Sequence, residues 1–510
     1  MNSVHKAHLT LATEDRVISE FKSIHVPRWV TRWGGIRIAM LGVIAAALLL
    51  FRLGKGALQD WDEAIHAEVS KEIVNGHHWL TLYWQHEPYF RKPPLSFWIR
   101  AVFFRSFGVT EFWARFPSAL GAIAIVLLTY VIAGRLFGKG AGQLYAGVVL
   151  LTTQHFVYVA RQGTTDTLLC LSIYLALYAY LRLLEGNSAW YFAIWTAVGI
   201  GAMIKGPAVL VAPLAITGDW IFRRQKPVSL NWRMHCLGGL LALAIFVPWH
   251  LWMIFQYGWA FLEDYVWYQI VMRATRVLED SGGGPFFYAR VFLDQALPWG
   301  VLAIIAAVNS VRRRDRDRLL MWWTAGITVV VYALIRTKHD WYIFPIYPAV
   351  AVEVGQFIQE LGDRGRTVRM ATAAVLTCGL ALEAARLAKY QGDPLANEMA
   401  QMATMARTSP VAKEPLLIIT EPGTVPEIAT PTAIFYSART VTPLETPSDV
   451  NRIAARLANG ALIEAIIQKS SAFDLSSSFD IHPIAENDAM IYGVITKKDL
   501  SRTMATGVSW

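Results

Sequence analysis

The sequence predicts an α-helical polytopic membrane protein that ends in a small extramembrane α/β domain. Composition, the length of the apolar runs and the alternation of basic residues between them carry that prediction. Of 510 residues, 55% are hydrophobic and 17% charged, with mean hydropathy +0.36, against about 25% charge in an ordinary soluble domain. Apolar runs of roughly 20 residues, enough for one helix to cross a bilayer, recur along most of the chain. The net charge of +9 lies in short clusters between these runs and points to no nucleic-acid partner. Cys170, Cys236 and Cys378 all lie inside apolar segments, which indicates neither a disulfide framework nor a thiolate metal site.

Spans are expected near 36–53, 114–134, 141–160, 167–184, 189–204, 207–222, 236–257, 286–308, 319–336, 341–360 and 370–388. Lys and Arg favour the cytoplasmic ends of short loops. With a cytoplasmic N-terminal segment 1–35, every second connection is basic: Arg135 and Lys139, Arg182, "RRQKP", "VRRRDRDR" and "DRGRTVR". No signal-peptide cleavage pattern precedes the first run, so that run stays as a span. Residues 93–107, carrying Arg100 and Arg105, read as a helix lying at the interface. Residues 36–389 then form the membrane domain. The loop 54–113, the "RQGTTD" turn, the loop 258–285, "RTKHDW" and the tail all fall on the same, non-cytoplasmic side. The tail 390–510 reads as an α/β domain. "PLLIIT", "TAIFYS", "ALIEAIIQ" and "AMIYGVIT" suit buried strands or a short helix, and 448–460 a helix.

The outer loops hold the chemistry. In "DEAIHAEVSKEIVNG" the stripe Ile65, Val69, Ile73 predicts a helix that stops at Gly76 and puts Asp62 and Glu63 in its first turn. Such a pair either caps the helix or supplies a general base to an acceptor hydroxyl or amine. In "YFRKPPLSFW", Pro93 and Pro94 push Lys92 into an extended conformation. Lys92 and Arg91 are then either snorkelling interfacial cations or preset charges for a lipid phosphate. Arg161 and Asp166 flank a short outer turn and gain meaning only by meeting the opening loop in space. Lys205 in "MIKGPAVL" is the one intramembrane charge, just before a helix-breaking Gly-Pro. "RTKHDWYIFP" sets Lys338, His339, Asp340 and Tyr342 at an outer edge. His339 is a metal-ligand candidate, a base or an interfacial residue. The 258–285 loop adds Glu263, Asp264, Arg273 and Arg276 before "SGGGP", a hinge suited to a gated loop. His77, His78 and His86 give little metal signal, since adjacent histidines face different ways.

These motifs occur in one order: "DE" at 62–63, "KPP" at 92–94, "FGVTEFWARFPSALGA" at 107–122, Arg161 with Asp166, "KGP" at 205–207, "LPWG" at 297–300 and "KHDWYIFP" at 338–345. The set resembles the GT-C membrane glycosyltransferases over about residues 40–390. It is most similar to the aminoarabinose transferases that modify lipid A, and more distantly to protein O-mannosyltransferases. The resemblance implies a GT-C fold of about 11–13 spans and inverting transfer of a sugar from a polyprenyl-phosphate donor to a lipid or glycan acceptor.

By resemblance Asp62, Glu63 and Asp166 are the catalytic acids. Lys92, Arg161, Arg273, Lys338 and Tyr342 match positions that meet the donor phosphate, and Arg91, read from the residues themselves, doubles the positive charge beside Lys92. Cations there lower the barrier by meeting the charge that grows on a leaving phosphate. The aminoarabinose enzymes have an acidic residue where Arg91 stands and a histidine where this chain reads "LEDSGGGPFFY". Both are metal positions in those relatives, so the sequence assigns no certain cofactor. His339 is the candidate ligand that remains, and Arg91 supplies part of the charge a metal brings. The other readings are a protein O-mannosyltransferase-like enzyme and a non-catalytic flippase for lipid-linked sugars. Many transporters show repeat symmetry and broken mid-membrane helices, which are not apparent here.

Overall fold

The computed structural model describes residues 32–223, 231–278, 281–313, 319–409, 415–420, 431–445, 463–476 and 479–497. The basic stretches at 224–230 and 314–318, the helix read at 448–460 and most of the expected N-terminal segment lie outside them.

Helix α1 (Arg32–Leu50) leads into the opening loop, which holds α2 (Asp62–Gly76), a hairpin of β1 (Tyr83–Trp84) and β2 (Glu87–Pro88), and α3 (Leu95–Phe107). As the apolar spacing predicts, Val69 and Ile73 of α2 are buried, and the helix ends where His77 turns left-handed at φ 55°. The bundle continues with α4 (Glu111–Phe137), α5 (Gly142–Leu151), α6 (Gln154–Ala160), α7 (Asp166–Leu183), α8 (Trp190–Lys205), α9 (Val211–Phe222) and α10 (Trp232–Tyr257). After it come α11 (Phe287–Gln295), α12 (Trp299–Arg313), α13 (Leu320–Leu334), α14 (Ile346–Gly362) and α15 (Arg366–Lys389).

Every expected span falls largely on helix, with three interruptions. The 141–160 run breaks at Thr152–Thr153 between α5 and α6, α11 meets α12 at 115°, and the 341–360 run opens on a 3₁₀ turn (Asp340–Ile343) before α14 starts at Ile346. Among the described residues, five stretches are long and apolar enough to cross a membrane, or six with that bent pair. One of the five, Trp190–Phe222, turns back on itself. Lys205 meets Asp166 at one end of α7, whereas Asp219 accepts a hydrogen bond from Tyr180 near the other (2.9 Å). The reversal occurs at Gly206, whose φ of 58° with ψ of −136° few residues besides glycine adopt, and a 3₁₀ turn (Gly206–Leu210) follows.

The 258–285 stretch, expected as a loop, is helical as far as Thr275, with a π-helical centre at Leu262–Met272. Its apolar side chains explain this: Phe261 and Tyr265 pack with Phe90, Met203, Trp249 and Met253.

Past α15, α16 (Pro394–Arg407) is N-capped by Asp393, which accepts from the Ala396 backbone N–H (2.9 Å). β3 (Leu416–Thr420), α17 (Pro431–Ser437), β4 (Val441–Glu445), β5 (Ile463–Gln468), α18 (Lys469–Ser476), β6 (Phe479–Glu486) and β7 (Met490–Lys497) follow. The sheet order is β4-β3-β5-β7-β6, with β3 parallel to both neighbours and β7 antiparallel to both of its own. "TAIFYS", left open between strand and helix, is the helix α17. It docks this body on the opening loop: the Thr432 N–H donates to Asp60 (2.8 Å), Lys71 to the Phe435 carbonyl (2.9 Å) and the Val441 N–H to Gln85 (2.8 Å).

Candidate active site

Two buried arginines assemble one end of the bundle around the opening loop. Arg115, at the start of α4, donates to the carbonyls of Leu53 (3.1 Å) and Ala57 (2.7 Å) and pairs with Glu63 (2.8 Å). Arg100, 1% exposed, donates to the carbonyls of Ala114 (2.9 Å), His66 (3.2 Å) and Gly163 (2.6 Å). Together they tie α2, α3, α4 and the 161–166 turn into one unit, so that turn does meet the opening loop. The backbone carbonyls along this loop are thereby satisfied without water.

Asp62 is left facing inward on this frame. It opens onto a cavity of about 320 Å³ walled by Trp61, Trp84, Tyr89, Trp341 and Tyr342, with Arg91, Lys92, Arg273 and His339 among its polar lining. Its carboxylate lies 3.7 Å from the Lys92 ammonium and 3.8 Å from Nε2 of His66. Burial works against the charge, but the ammonium groups of Lys92 and Lys205 outweigh it and hold the Asp62 carboxyl well below the usual carboxylate range. His66 is fully buried, and burial pushes its pKa down to about 3, so the imidazole is neutral. Burial also lowers Lys92, with Asp62 opposing.

Arg91 lies 3.9 Å from Asp264 and over the Tyr268 ring, and Arg273 approaches Nε2 of His339 at 3.4 Å. The π-helical stretch and the turn after it thus bring Asp264 and Arg273 to the cavity.

A second space of about 370 Å³ adjoins the first. It is largely apolar, running between α9, α13 and the π-helical stretch past Pro207, Leu210, Leu214, Val331 and Ile335. Arg91, Lys92, Gln269, Arg273 and Tyr342 line both spaces, so a polar chamber and an apolar groove share one cationic junction. Lys205 lines the groove, bonded to Asp166 at 2.6 Å and lying over the Tyr342 ring at 5.2 Å.

Against this geometry stand the proteins the chain is similar to. A family model described as dolichyl-phosphate-mannose-protein mannosyltransferase matches residues 91–252. An undecaprenyl phosphate-alpha-4-amino-4-deoxy-L-arabinose arabinosyl transferase of Edwardsiella ictaluri is 25% identical over 332 residues, 62% of this chain and 59% of that protein. A second, of Pseudomonas fluorescens, is 25% identical over 367 residues, 70% of this chain and 62% of that one. The alignments thus span about six-tenths of the length of these curated relatives. The crystal structure of ArnT from Cupriavidus metallidurans bound to undecaprenyl phosphate superimposes with a TM-score of 0.75 at 18% identity, over 91% of this chain and 98% of that one. The chain has the GT-C glycosyltransferase fold.

Within the GT-C bundle, the residues singled out from sequence divide in two. Asp62, Arg91, Lys92, Arg273, His339 and Tyr342 gather at the polar chamber. Four do not line it. Glu63, 3% exposed, accepts from Arg115 and from the backbone N–H groups of Gln59 and Gly163 (both 2.8 Å). Arg161 donates to the carbonyls of Leu48 (3.0 Å) and Leu49 (2.9 Å) at the end of α1. Lys338 caps the end of α13 through the carbonyls of Ala333 (2.8 Å) and Ile335 (2.6 Å). Asp166, 4% exposed, is turned to Lys205.

Sequence reasoning left Lys205 off the site, although a lone charge inside a span is itself a signal of function. It also missed His66, one helical turn beyond Asp62. Among the described residues, the chamber's Asp62 and Asp264 face Lys92 and Arg91, and no three His, Cys, Asp or Glu side chains are gathered to hold an ion.

Proposed function

We propose that the chain is an inverting glycosyltransferase of the inner membrane that takes a sugar from a polyprenyl phosphate and delivers it to a lipid or glycan acceptor at the outer face. The observation that carries this reading is the junction shared by the polar chamber and the apolar groove. A polyprenyl-phosphate sugar has the same three parts in the same order: an apolar chain for the groove, a phosphate for Arg91, Lys92 and Arg273, and a sugar for the aromatic-walled chamber. The phosphate-to-cation match is charge-assisted and therefore strong. The relatives' names support a polyprenyl-linked donor and, in two cases, an aminoarabinose sugar.

In the reaction Asp62 takes the proton of the acceptor hydroxyl. The oxygen attacks the anomeric carbon from the face opposite the phosphate. The bond from that carbon to the phosphate oxygen breaks, and its electron pair leaves with the phosphate. Lys92, Arg91, Arg273 and the Tyr342 hydroxyl meet the charge developing there. Asp62, ionised across the physiological range, is in the protonation state a base needs. Arg91 and Arg273 supply positive charge at the phosphate.

The match to the mannosyltransferase model supports a second reading, transfer of mannose to protein. The test offers purified protein in nanodiscs a panel of polyprenyl-phosphate sugars with a lipid extract or a peptide acceptor. Sugar-bearing lipid with an inverted anomeric centre supports the first reading, and a glycosylated peptide the second. Movement of donor across the bilayer without cleavage would sink both in favour of a flippase.

A further inference from the structure

A second polar chamber, of about 440 Å³, lies beside the first, on the far side of the hairpin tip. One face of α2 floors both. Asp62 and Ile65 line the first chamber, and Glu68, Glu72 and Asn75 the second, at the three- and four-residue spacing that keeps side chains on one side of a helix. The hairpin Tyr83–Pro88 crosses above this floor, its tip turned by positive φ at Gln85 (51°) and His86 (68°). Gln85 lines both chambers, and its Oε1 accepts from the Val441 N–H, so the partition is pinned to the C-terminal body. That body also walls both: Pro443 the first, Arg439 and Thr440 the second.

We infer that the second chamber is an acceptor subsite, holding the part of a polyhydroxylated glycan headgroup that lies beyond the hydroxyl being glycosylated. This rests on the glycosyltransferase reading and extends it to the acceptor. Three features point to a glycan of more than one sugar ring. The path along α2 from residue 62 to residue 72, at ~1.5 Å per residue, covers about 15 Å, too long for a single ring. The wall mixes carboxylates, amides, imidazoles and hydroxyls with the cations Lys71 and Arg439, which pair with Glu68 and Glu464, so its hydrogen-bonding groups suit a hydroxyl-rich ligand. The ring of Tyr83, 5.1 Å from that of His78, offers a flat apolar face for a sugar. The C-terminal body thereby contributes to acceptor choice, whereas on the donor side it supplies Pro443 to a chamber otherwise built from the bundle and opening loop.

The experiment measures binding, apart from turnover. Asn75→Trp and Thr440→Trp fill the chamber from opposite walls, both positions are exposed, and wild type is the reference. Each protein in nanodiscs is titrated with deacylated lipid A backbone (a phosphorylated disaccharide) and with linear oligosaccharides of two to four hexoses. Separately it is titrated with undecaprenyl phosphate. The expected result is at least a tenfold weaker Kd for the best-bound glycan in both variants, with undecaprenyl phosphate affinity unchanged. Equal glycan binding in all three proteins, no glycan binding by wild type, or an equal loss of undecaprenyl phosphate binding overturns the assignment. Failure of wild type to bind undecaprenyl phosphate counts instead against the donor reading, so the two fail separately.

Discussion

Lys92 and Lys338 show how two lysines, both marked by the same family pattern, come to do different work. Lys92 stands in the cavity beside Asp62, whereas Lys338 has its ammonium on three carbonyls at the end of α13. Lys92→Ala is expected to lower kcat by about 10²–10³-fold, the usual effect of removing one group that meets transition-state charge. Lys338→Met should lower the thermal midpoint and leave the donor KM near wild type. Steady-state kinetics and a melting scan of both variants decide this.

The pH profile follows from the same residues. Burial makes the ammonium of Lys92 lose its proton more readily than an ordinary lysine, of pKa ≈ 10.4. Its charge is complete at low pH and lost as pH rises through that lowered pKa. In kcat/KM, the alkaline limb should therefore fall below the ordinary lysine range, and Lys92→Arg should move it upward. Asp62, held ionised, contributes no acid limb above about pH 4, its ordinary carboxylate range. Glu63 behaves differently again. Glu63→Ala strands the buried Arg115 and two backbone donors, and should cost about 3–5 kcal/mol of stability, read as an early melting transition.

At the scale of elements, periodicity in the sequence marks the helices well but says little about where they break. The Ile65–Val69–Ile73 stripe predicted α2 together with its stop, and the charged "KGP" predicted the turn between α8 and α9. The loop reading of 258–285 failed because Glu263, Asp264 and Arg273 drew attention from the apolar residues among them, which bury against α10. The charge of Arg100 marked α3 as no span, but its partners are backbone carbonyls of Ala114, His66 and Gly163, which no side-chain pattern reveals. The turn at Gly206 has a consequence that can be measured. An added Cβ there lies 2.9 Å from the Tyr265 hydroxyl, in a backbone conformation that costs a non-glycine residue roughly 1–3 kcal/mol. Gly206→Ala should lower the melting temperature and raise the donor KM, because this turn lines the groove.

For the whole molecule, the charge alternation in the sequence placed most of the chemistry-bearing loops together, and the structure gathers Asp62, Arg91, Lys92, Arg273, His339 and Tyr342 at one end of the bundle. The sequence held no sign that this end contains two spaces joined at a cationic seam, since the groove is made by α9, α13 and the π-helical stretch packing side by side. That joint geometry predicts a dependence on the lipid carrier. Each buried methylene is worth about 0.8 kcal/mol, so donors with one to four isoprene units should show a falling KM as the groove fills, then a plateau.

The measurement that bears most directly on the account is release of free polyprenyl phosphate, followed by mass spectrometry, from wild type and Asp62→Asn with donor and acceptor lipid present. Asparagine keeps the shape of the side chain and removes the base. The account predicts release by wild type and a collapse in the variant, with undecaprenyl phosphate binding retained. Equal release from the two proteins would contradict it.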